Sequence, residues 1–378
     1  MLRAPSRLGS RLEVVPRAVL KRALSGRRRR PAHPRRILVA HQLLLGDTLM
    51  LTPLLARLRR RHPQAQIVMT VSRRQLSLYA PRPYGVATLA YDSRDRKSMR
   101  TLLEQGPFDL AVVPGDNRHA MLALALDSSW VVALAGDRPG WKNWLADELV
   151  PVPTEPIALS DLFALLAGEE DDAVFEPGDW PRPESSPFEL PRRDYAVLNV
   201  DAGSPLRLWQ PHKWLQVADA LARTGLEVAF CAGPGEERMV EAIDPQRRHR
   251  SYAGALDLLQ LWRLLEGARL LVCVDSGASH LAKLARTPSV VLYGPGSPVL
   301  FGPGRFWRNH PCRAVTIADF PCRDQNRVFK REVSWVRRCQ RTLKECPRAT
   351  CMEALNFESV KSAAERLLRS PRAVSVDE

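Results

Sequence analysis

Residues 269–298 read "RLLVCVDSGASHLAKLARTPSVVLYGPGSP". The run from Leu270 to Val274 is unbroken, apolar and β-favouring, as in a strand covered on both faces. "DSG" is a turn, the residues from Ala278 onward have helical spacing, and 289–293 is a second apolar run. A strand, a helix and a strand in so short a span form a βαβ unit, which requires a parallel sheet.

The same rhythm extends in both directions. Upstream of a break, "RILVAH", a helix through "DTLMLTPLLARLRRR", "AQIVMTV", "FDLAVVPG" and "SSWVVALAG" alternate. Between about 151 and 194 the chain turns Pro- and acid-rich, with one short helix candidate at 158–167. The alternation restarts at "YAVLNVDAG" and runs through "LEVAFCAG" to the quoted stretch. A chain of 378 residues exceeds one ordinary core, so an α/β protein of two domains is expected. The expected parts are a basic appendage at 1–34, a first Rossmann-like domain at 35–180 and a second at 181–355. A Cys- and Arg-rich segment at 312–351 belongs to the second, and a terminal helix follows at 356–370.

The net charge of +15 is unevenly spread. Residues 1–36 hold twelve Arg and Lys against Glu13 alone, and residues 323–348 hold nine against three acids, leaving the body close to neutral. In "PRAVLKRALSGRRRRPAHP", Val19, Leu20, Ala23 and Leu24 cluster on one side of a helix that Pro16 can start. Residues 1–30 can therefore lie on an anionic membrane surface, or form a plain basic tail. The absence of aromatic interleaving and of any nucleic-acid-binding signature argues against a nucleic-acid partner. No apolar run is long enough to span a bilayer and no secretory signal is evident, so a cytoplasmic location is expected, with peripheral attachment to the inner face of the membrane as an option. Cys231 and Cys273 sit in strand-like runs as small buried hydrophobes, and seven cysteines are an odd count for a disulfide scaffold.

Asp275, Ser276 and Gly277 fall at the carboxyl end of a parallel strand and the mouth of a helix, where open α/β sheets bind ligands. Free N–H groups and the helix dipole favour an anion such as a diphosphate, and Gly277 admits its close approach. His280, one turn later, faces the same place. The glycines of a serine nucleophile elbow are missing, which excludes that chemistry. As pure structure, Asp275 or Ser276 would be a helix cap and His280 a packed histidine. In "LLLGDTLMLTP", Gly46 makes a turn and Asp47 stands at a helix start, either as a cap or as a carboxylate that accepts a proton from a hydroxyl. "NVDAGSPLRLWQPHKW" offers Gly203, Ser204 and Arg207 as a further phosphate contact. "CAGPGEER" places Glu236 and Glu237 after the next strand, where an acid can accept from a ribose diol, although the spacing is not the dinucleotide fingerprint.

Five marks in this order resemble glycosyltransferase family nine, the bacterial ADP-heptose:lipopolysaccharide heptosyltransferase family. They are "RILVAHQLLLGDTLMLTPLLARLRRRHPQAQI", "GSPLRLWQPHKWLQVADAL", "AGPGEER", "VDSGASHLAKLARTPSVVLYGPGSP" and the "CM" at Cys351 with its helix. The resemblance covers about 36–370. It implies a GT-B fold, with two Rossmann-like domains facing a cleft, acceptor on the first, nucleotide sugar on the second, and a C-terminal helix returning to the first. It also implies inversion at the anomeric carbon with no metal and no cofactor. By position, Asp47 matches the general base, and Arg207 a diphosphate contact usually made by lysine. Glu236 matches the ribose-side acid, and Asp275, Ser276, Gly277 and His280 match the phosphate loop. The resemblance implies a reaction that moves a sugar, a heptose by family habit, from a nucleotide diphosphate, ADP-linked in the family, to a lipopolysaccharide-core or other envelope acceptor.

Gly296 departs from the Thr or Ser common in the family, and "EPIALSDLF" lacks a histidine often found near the end of the first domain. An epimerase of the same fold and a noncatalytic nucleotide-sugar or glycan binder are the alternatives to a transferase. Cys312, Cys322, Cys339, Cys346 and Cys351 crowd 40 residues, but only Cys346 and Cys351 form a close pair, a poor zinc pattern.

Overall fold

In the computed structural model, residues 8–24, 29–168 and 172–369 are described. Residues 1–7 and 25–28 of the basic appendage, 169–171 of the Pro- and acid-rich passage, and residue 370 of the expected terminal helix lie outside them. The chain divides into two compact units, Met1–Pro183 with Asn326–Val336, and Glu184–Gln325 with Arg337–Glu378.

The first unit contains α1 (Leu8–Leu24), β1 (Arg36–Val39), α2 (Leu45–Leu49), α3 (Thr52–Arg61), β2 (Gln66–Val71), β3 (Val86–Ala90), α4 (Arg96–Leu103), β4 (Phe108–Val113), α5 (His119–Ala125), β5 (Ser128–Leu134), β6 (Glu148–Val150) and α6 (Leu159–Ala164). Its six strands are parallel, in the order β3-β2-β1-β4-β5-β6. The expected single helix through 47–61 is two, α2 and α3, separated at Met50–Leu51. Pro53, in the first turn of α3, lacks the N–H that would continue the preceding turn. Asp95 caps α4 by accepting from the N–H groups of Lys97 (3.0 Å) and Ser98 (3.3 Å).

The second unit contains β7 (Tyr195–Asn199), α7 (Pro211–Ala222), β8 (Glu227–Cys231), α8 (Glu237–Ile243), β9 (Arg250–Ser251), α9 (Leu258–Gly267), β10 (Leu270–Val274), α10 (Gly277–Leu284), β11 (Ser289–Tyr293) and β12 (Cys312–Thr316). Its six strands follow β12-β11-β10-β7-β8-β9 and are also parallel. Every residue of β7, β10 and β11 is buried, as their unbroken apolar runs require of strands with helices on both faces.

The C-terminal helix, Phe357–Arg369, corrects one implication of the resemblance. It packs within the second unit, where Val360, Ala364 and Leu367 join the core formed with α7 and β10–β12. Spaced by four and three residues, these side chains make one apolar stripe, and this groove is what it fills. Residues 326–336 also differ from expectation. They lie inside the Cys- and Arg-rich segment assigned to the second domain, yet they pack as a hairpin, β13 (Arg327–Val328) and β14 (Arg331–Glu332), in the first unit. Among the described residues, no helix is long and apolar enough to cross a membrane.

Candidate functional site

In each sheet the chain builds strands in one direction, returns, and continues on the other side. The reversal lies between β1 and β4 in the first unit and between β7 and β10 in the second. Loops leaving adjacent strands part there and open a crevice at the strands' carboxyl ends.

In the second unit that crevice gathers several of the expected residues. Asp275 follows β10 directly and is buried, while Arg207 follows β7 on the other side of the switch. Arg207 Nη1 donates to the Asp275 carbonyl at 2.9 Å and lies 3.5 Å from its Oδ2. Burial raises the pKa of Asp275, opposed by Arg207, Arg338 and Lys283. Ser276 is the residue before α10, but neither it nor Asp275 caps the helix as a plain structural reading expects. The Ser276 side chain makes no capping bond, and its Oγ is buried with no hydrogen-bond partner. A hydroxyl in that state costs free energy unless something else bonds to it. The N–H groups of Gly277 and Ala278 open α10, where a helix start leaves donors without intrahelical partners, while that of Ser279 donates to the Ser276 carbonyl at 3.2 Å. The arrangement can therefore accept an anion without further rearrangement.

His280 is buried one turn into α10. Burial, followed by the charges of Lys283 and Arg207, pushes its pKa well below the usual imidazole value, so it is neutral at pH 7. Its Nδ1 lies 3.2 Å from Lys283 Nζ, which also donates to the Gly302 carbonyl at 3.1 Å. Lys283 was missed by sequence reasoning, although it sits three residues after His280, the spacing that places two helical residues on one face. Asp201 was missed too. Its Oδ2 accepts from the Gly233 N–H at 2.8 Å and its Oδ1 from Asn199 at 2.7 Å, so it ties the loop after β7 to the loop after β8.

Gly203 is exposed and Ser204 half-buried in that first loop, and Ser204 precedes the short helical turn carrying Arg207. Glu236 is exposed just before α8. The neighbouring Glu237 is engaged locally, its Oε1 accepting from the Gly235 N–H at 3.1 Å.

The glycine at 296 has a structural cause. A Cβ there would collide with Asp275 Oδ2, so the hydroxyl-bearing residue common in the family cannot enter unless that carboxylate moves. Gly296→Ser should displace Asp275, loosen Arg207 and destabilise the second unit by roughly 1–3 kcal/mol as an overpacked site. Thermal melting would register this, and a melting point equal to that of the wild type would show that the carboxylate yields freely.

In the first unit, Asp47 is half-buried and belongs to the first turn of α2. The position before the helix is Leu44, so Asp47 is not the N-cap residue. Leu43, four residues before it, lies against Gly115, which follows β4 on the other side of the switch. Phe329, at the tip of the β13–β14 hairpin, reaches the same glycine and also faces Phe163, with ring centroids 5.9 Å apart.

Arg331 holds this hairpin in place. Only 2% exposed, it donates to the carbonyls of Gly115 (2.9 Å), Ala135 (3.0 Å) and Leu134 (3.2 Å) and to Asn117 Oδ1 (2.5 Å), and lies 3.6 Å from Asp137. Asp137, fully buried, also accepts from the Asn117 N–H at 2.7 Å and from Lys142 at 3.0 Å. The turn between the strands has positive φ at both central residues, Phe329 (44°) and Lys330 (66°). This is the twist two-residue hairpins favour, here in side chains that resist it. The guanidinium's bonds offset that strain and place the hairpin at the first unit's switch point.

Among the described residues, no group of three or more His, Cys, Asp or Glu is placed to hold a metal ion. All seven cysteines are free.

A family model for glycosyltransferase family 9 (heptosyltransferase) matches residues 96–331. The chain is 23% identical to lipopolysaccharide heptosyltransferase 3 of Escherichia coli over 313 residues, 74% of this chain and 89% of that protein. Among solved structures it is similar to a family 9 glycosyltransferase of Veillonella parvula, with a TM-score of 0.71 and 19% identity over 88% of this chain and 97% of that one. It is similar as well to the E. coli heptosyltransferase WaaC solved with ADP, with a TM-score of 0.66 and 17% identity over 88% of this chain and 99% of the other.

Proposed function

The chain belongs to glycosyltransferase family 9 and has its GT-B fold of two Rossmann-like units, and we propose that it transfers heptose from an ADP-linked donor to a lipopolysaccharide-core or related lipid-linked envelope acceptor. The observation that carries the donor half is the buried, unbonded Ser276 hydroxyl at the mouth of α10, beside Arg207 and Asp275. The relatives' names, and ADP in the WaaC structure, support the choice of sugar and nucleotide.

In this reading the second unit holds the donor, and the first unit, which includes residues 326–336, holds the acceptor. Arg207, the Ser276 hydroxyl and the first N–H groups of α10 from Gly277 bind the diphosphate. The loop at Gly203 and Ser204 closes on it, and Glu236 accepts from the ribose hydroxyls. Arg207 presents a planar fork where the family commonly has a point-charge lysine, so it can engage two phosphate oxygens at once. His280, being neutral, contributes a hydrogen bond rather than charge, and Asp275 orients Arg207.

Asp47 takes the proton of the acceptor hydroxyl as its oxygen attacks the anomeric carbon from the face opposite the diphosphate. As that bond forms, the bond from the anomeric carbon to the diphosphate oxygen breaks. The departing negative charge is met by Arg207 and the positive end of α10, and the anomeric centre inverts in one step without a metal. The work would take place at the inner face of the cytoplasmic membrane, with residues 1–30 toward its anionic surface.

Nucleotides test the donor assignment. At a hundred times its dissociation constant, a ligand bound only by the folded state adds about 2.7 kcal/mol of stability, several degrees in melting point. ADP should do so at lower concentrations than UDP or GDP, and transfer from ADP-heptose to a heptose-deficient lipopolysaccharide core should persist in EDTA. A product formed without acceptor would indicate epimerisation, and donor binding without turnover across a panel of acceptors would indicate a noncatalytic binder.

A further inference from the structure

Helix α1 is apolar on two opposite faces. Val14 and Ala18 are buried against α5, and ion pairs fix the helix there: Glu13 with Arg96 (2.6 Å) and Arg100 (3.0 Å), Arg22 with Asp147 (2.5 Å), and Lys21 with Asp127. At about 100° per residue, Val15, Leu12, Val19, Ala23, Pro16 and Leu20 fall in one arc of roughly 140° on the side away from Val14 and Ala18. All six are exposed, Leu12 at 67% and Val19 and Leu20 at 59% each. Arg22 borders one edge of the arc and Arg17 lies beyond the other. A helix that needed only its own unit would carry polar residues on that side.

Two further exposed aromatic side chains stand in the loop before β6, which an ion pair ties to α1. Trp144, 76% exposed, stands three residues before Asp147, the carboxylate that Arg22 holds, and Trp141 is exposed beside it. Tryptophan's amphipathic ring favours the boundary between lipid headgroups and acyl chains.

We infer that the outward face of α1, with Trp141 and Trp144, is the surface by which the first unit docks on an anionic lipid bilayer. The inference deepens the membrane-facing reading of residues 1–30 above and stands apart from the donor chemistry. Charge selects the occupant. Twelve Arg and Lys against one acid in residues 1–36 attract an anionic surface and oppose packing against a second copy of the same segment. The apolar arc and the indoles enter the interface while the arginines meet headgroup phosphates.

Cosedimentation of the full chain with lipid vesicles tests this. Phosphatidylcholine vesicles containing 30% phosphatidylglycerol should bind it at least about tenfold more tightly than phosphatidylcholine alone, and less tightly as salt rises. The Val19→Glu/Leu20→Glu double variant keeps the packing face of α1 and should retain the wild-type melting point while losing about tenfold or more of that binding. Trp141→Ala/Trp144→Ala should weaken it through a region outside α1. Wild-type indifference to anionic vesicles, or undiminished binding by the α1 variant, overturns the proposal. So does a change from dimer to monomer in that variant with vesicle binding intact. Stabilisation by ADP should be the same in every variant, so failure here is distinguishable from failure of the donor assignment.

Discussion

Asp47→Ala is expected to lower transfer by about 10²–10⁴-fold, the usual contribution of a positioned general base, while nucleotide affinity stays unchanged. Asp47 lies in the first unit, at the switch point between β1 and β4, whereas the groups assigned to the diphosphate are all in the second. Removing the carboxylate therefore takes away a proton acceptor and leaves the donor's contacts alone. Asp47→Asn should behave alike, because the amide keeps the shape and cannot take the proton. The measurement is kcat with a lipopolysaccharide-core acceptor, set beside ADP affinity by calorimetry. A variant retaining a tenth or more of wild-type kcat would place the base elsewhere.

Arg331→Met should be the most destabilising single change in the first unit. It strips a charge partner from buried Asp137, leaves Lys142 as the neighbouring cation there, and removes the guanidinium donor from the carbonyls of Gly115 and Ala135, while the Leu134 carbonyl keeps its bond from Asn117. Breaking a buried pair of this kind costs about 3–5 kcal/mol, and for a unit of this size that lowers the melting point by roughly 6–20 °C. The hairpin at 326–336 should then become sensitive to protease, since Arg331 and not its strained turn holds it. Lys330→Ala, at the exposed position next to it, should stay within about 0.5 kcal/mol of the wild type. Equal melting points for Arg331→Met and the wild type would rule out the anchor.

How much of this was legible differs by element. The eight inner strands of the two sheets were readable because a fully covered strand shows an unbroken apolar run, as "LLVCV" and "YAVL" do, whereas the edge strands β3, β6, β9 and β12 are short or partly exposed and carry no such run. The donor-side loops were readable because glycines, hydroxyls and charges interrupt those runs at strand ends, where an open α/β sheet places ligands. The break between α2 and α3 was legible too, since Pro53 signals it, and went unread. The β13–β14 hairpin carried no such signal. Phe329 and Lys330 occupy positions where Asn-Gly would have announced the turn, and the segment's arginines resemble any solvated basic stretch.

Sequence alone determined two α/β units, the order of their inner strands, and the residues available at each switch point, because backbone periodicity and turn chemistry are local properties. Tertiary structure decided which charges are buried and which apolar faces are left open. Arg331 meets Gly115 across 216 positions of chain, and α1 spends Val14 and Ala18 on α5 while Val19 and Leu20 face outward. Burial belongs to a residue together with its distant partners, and no local pattern records who they are.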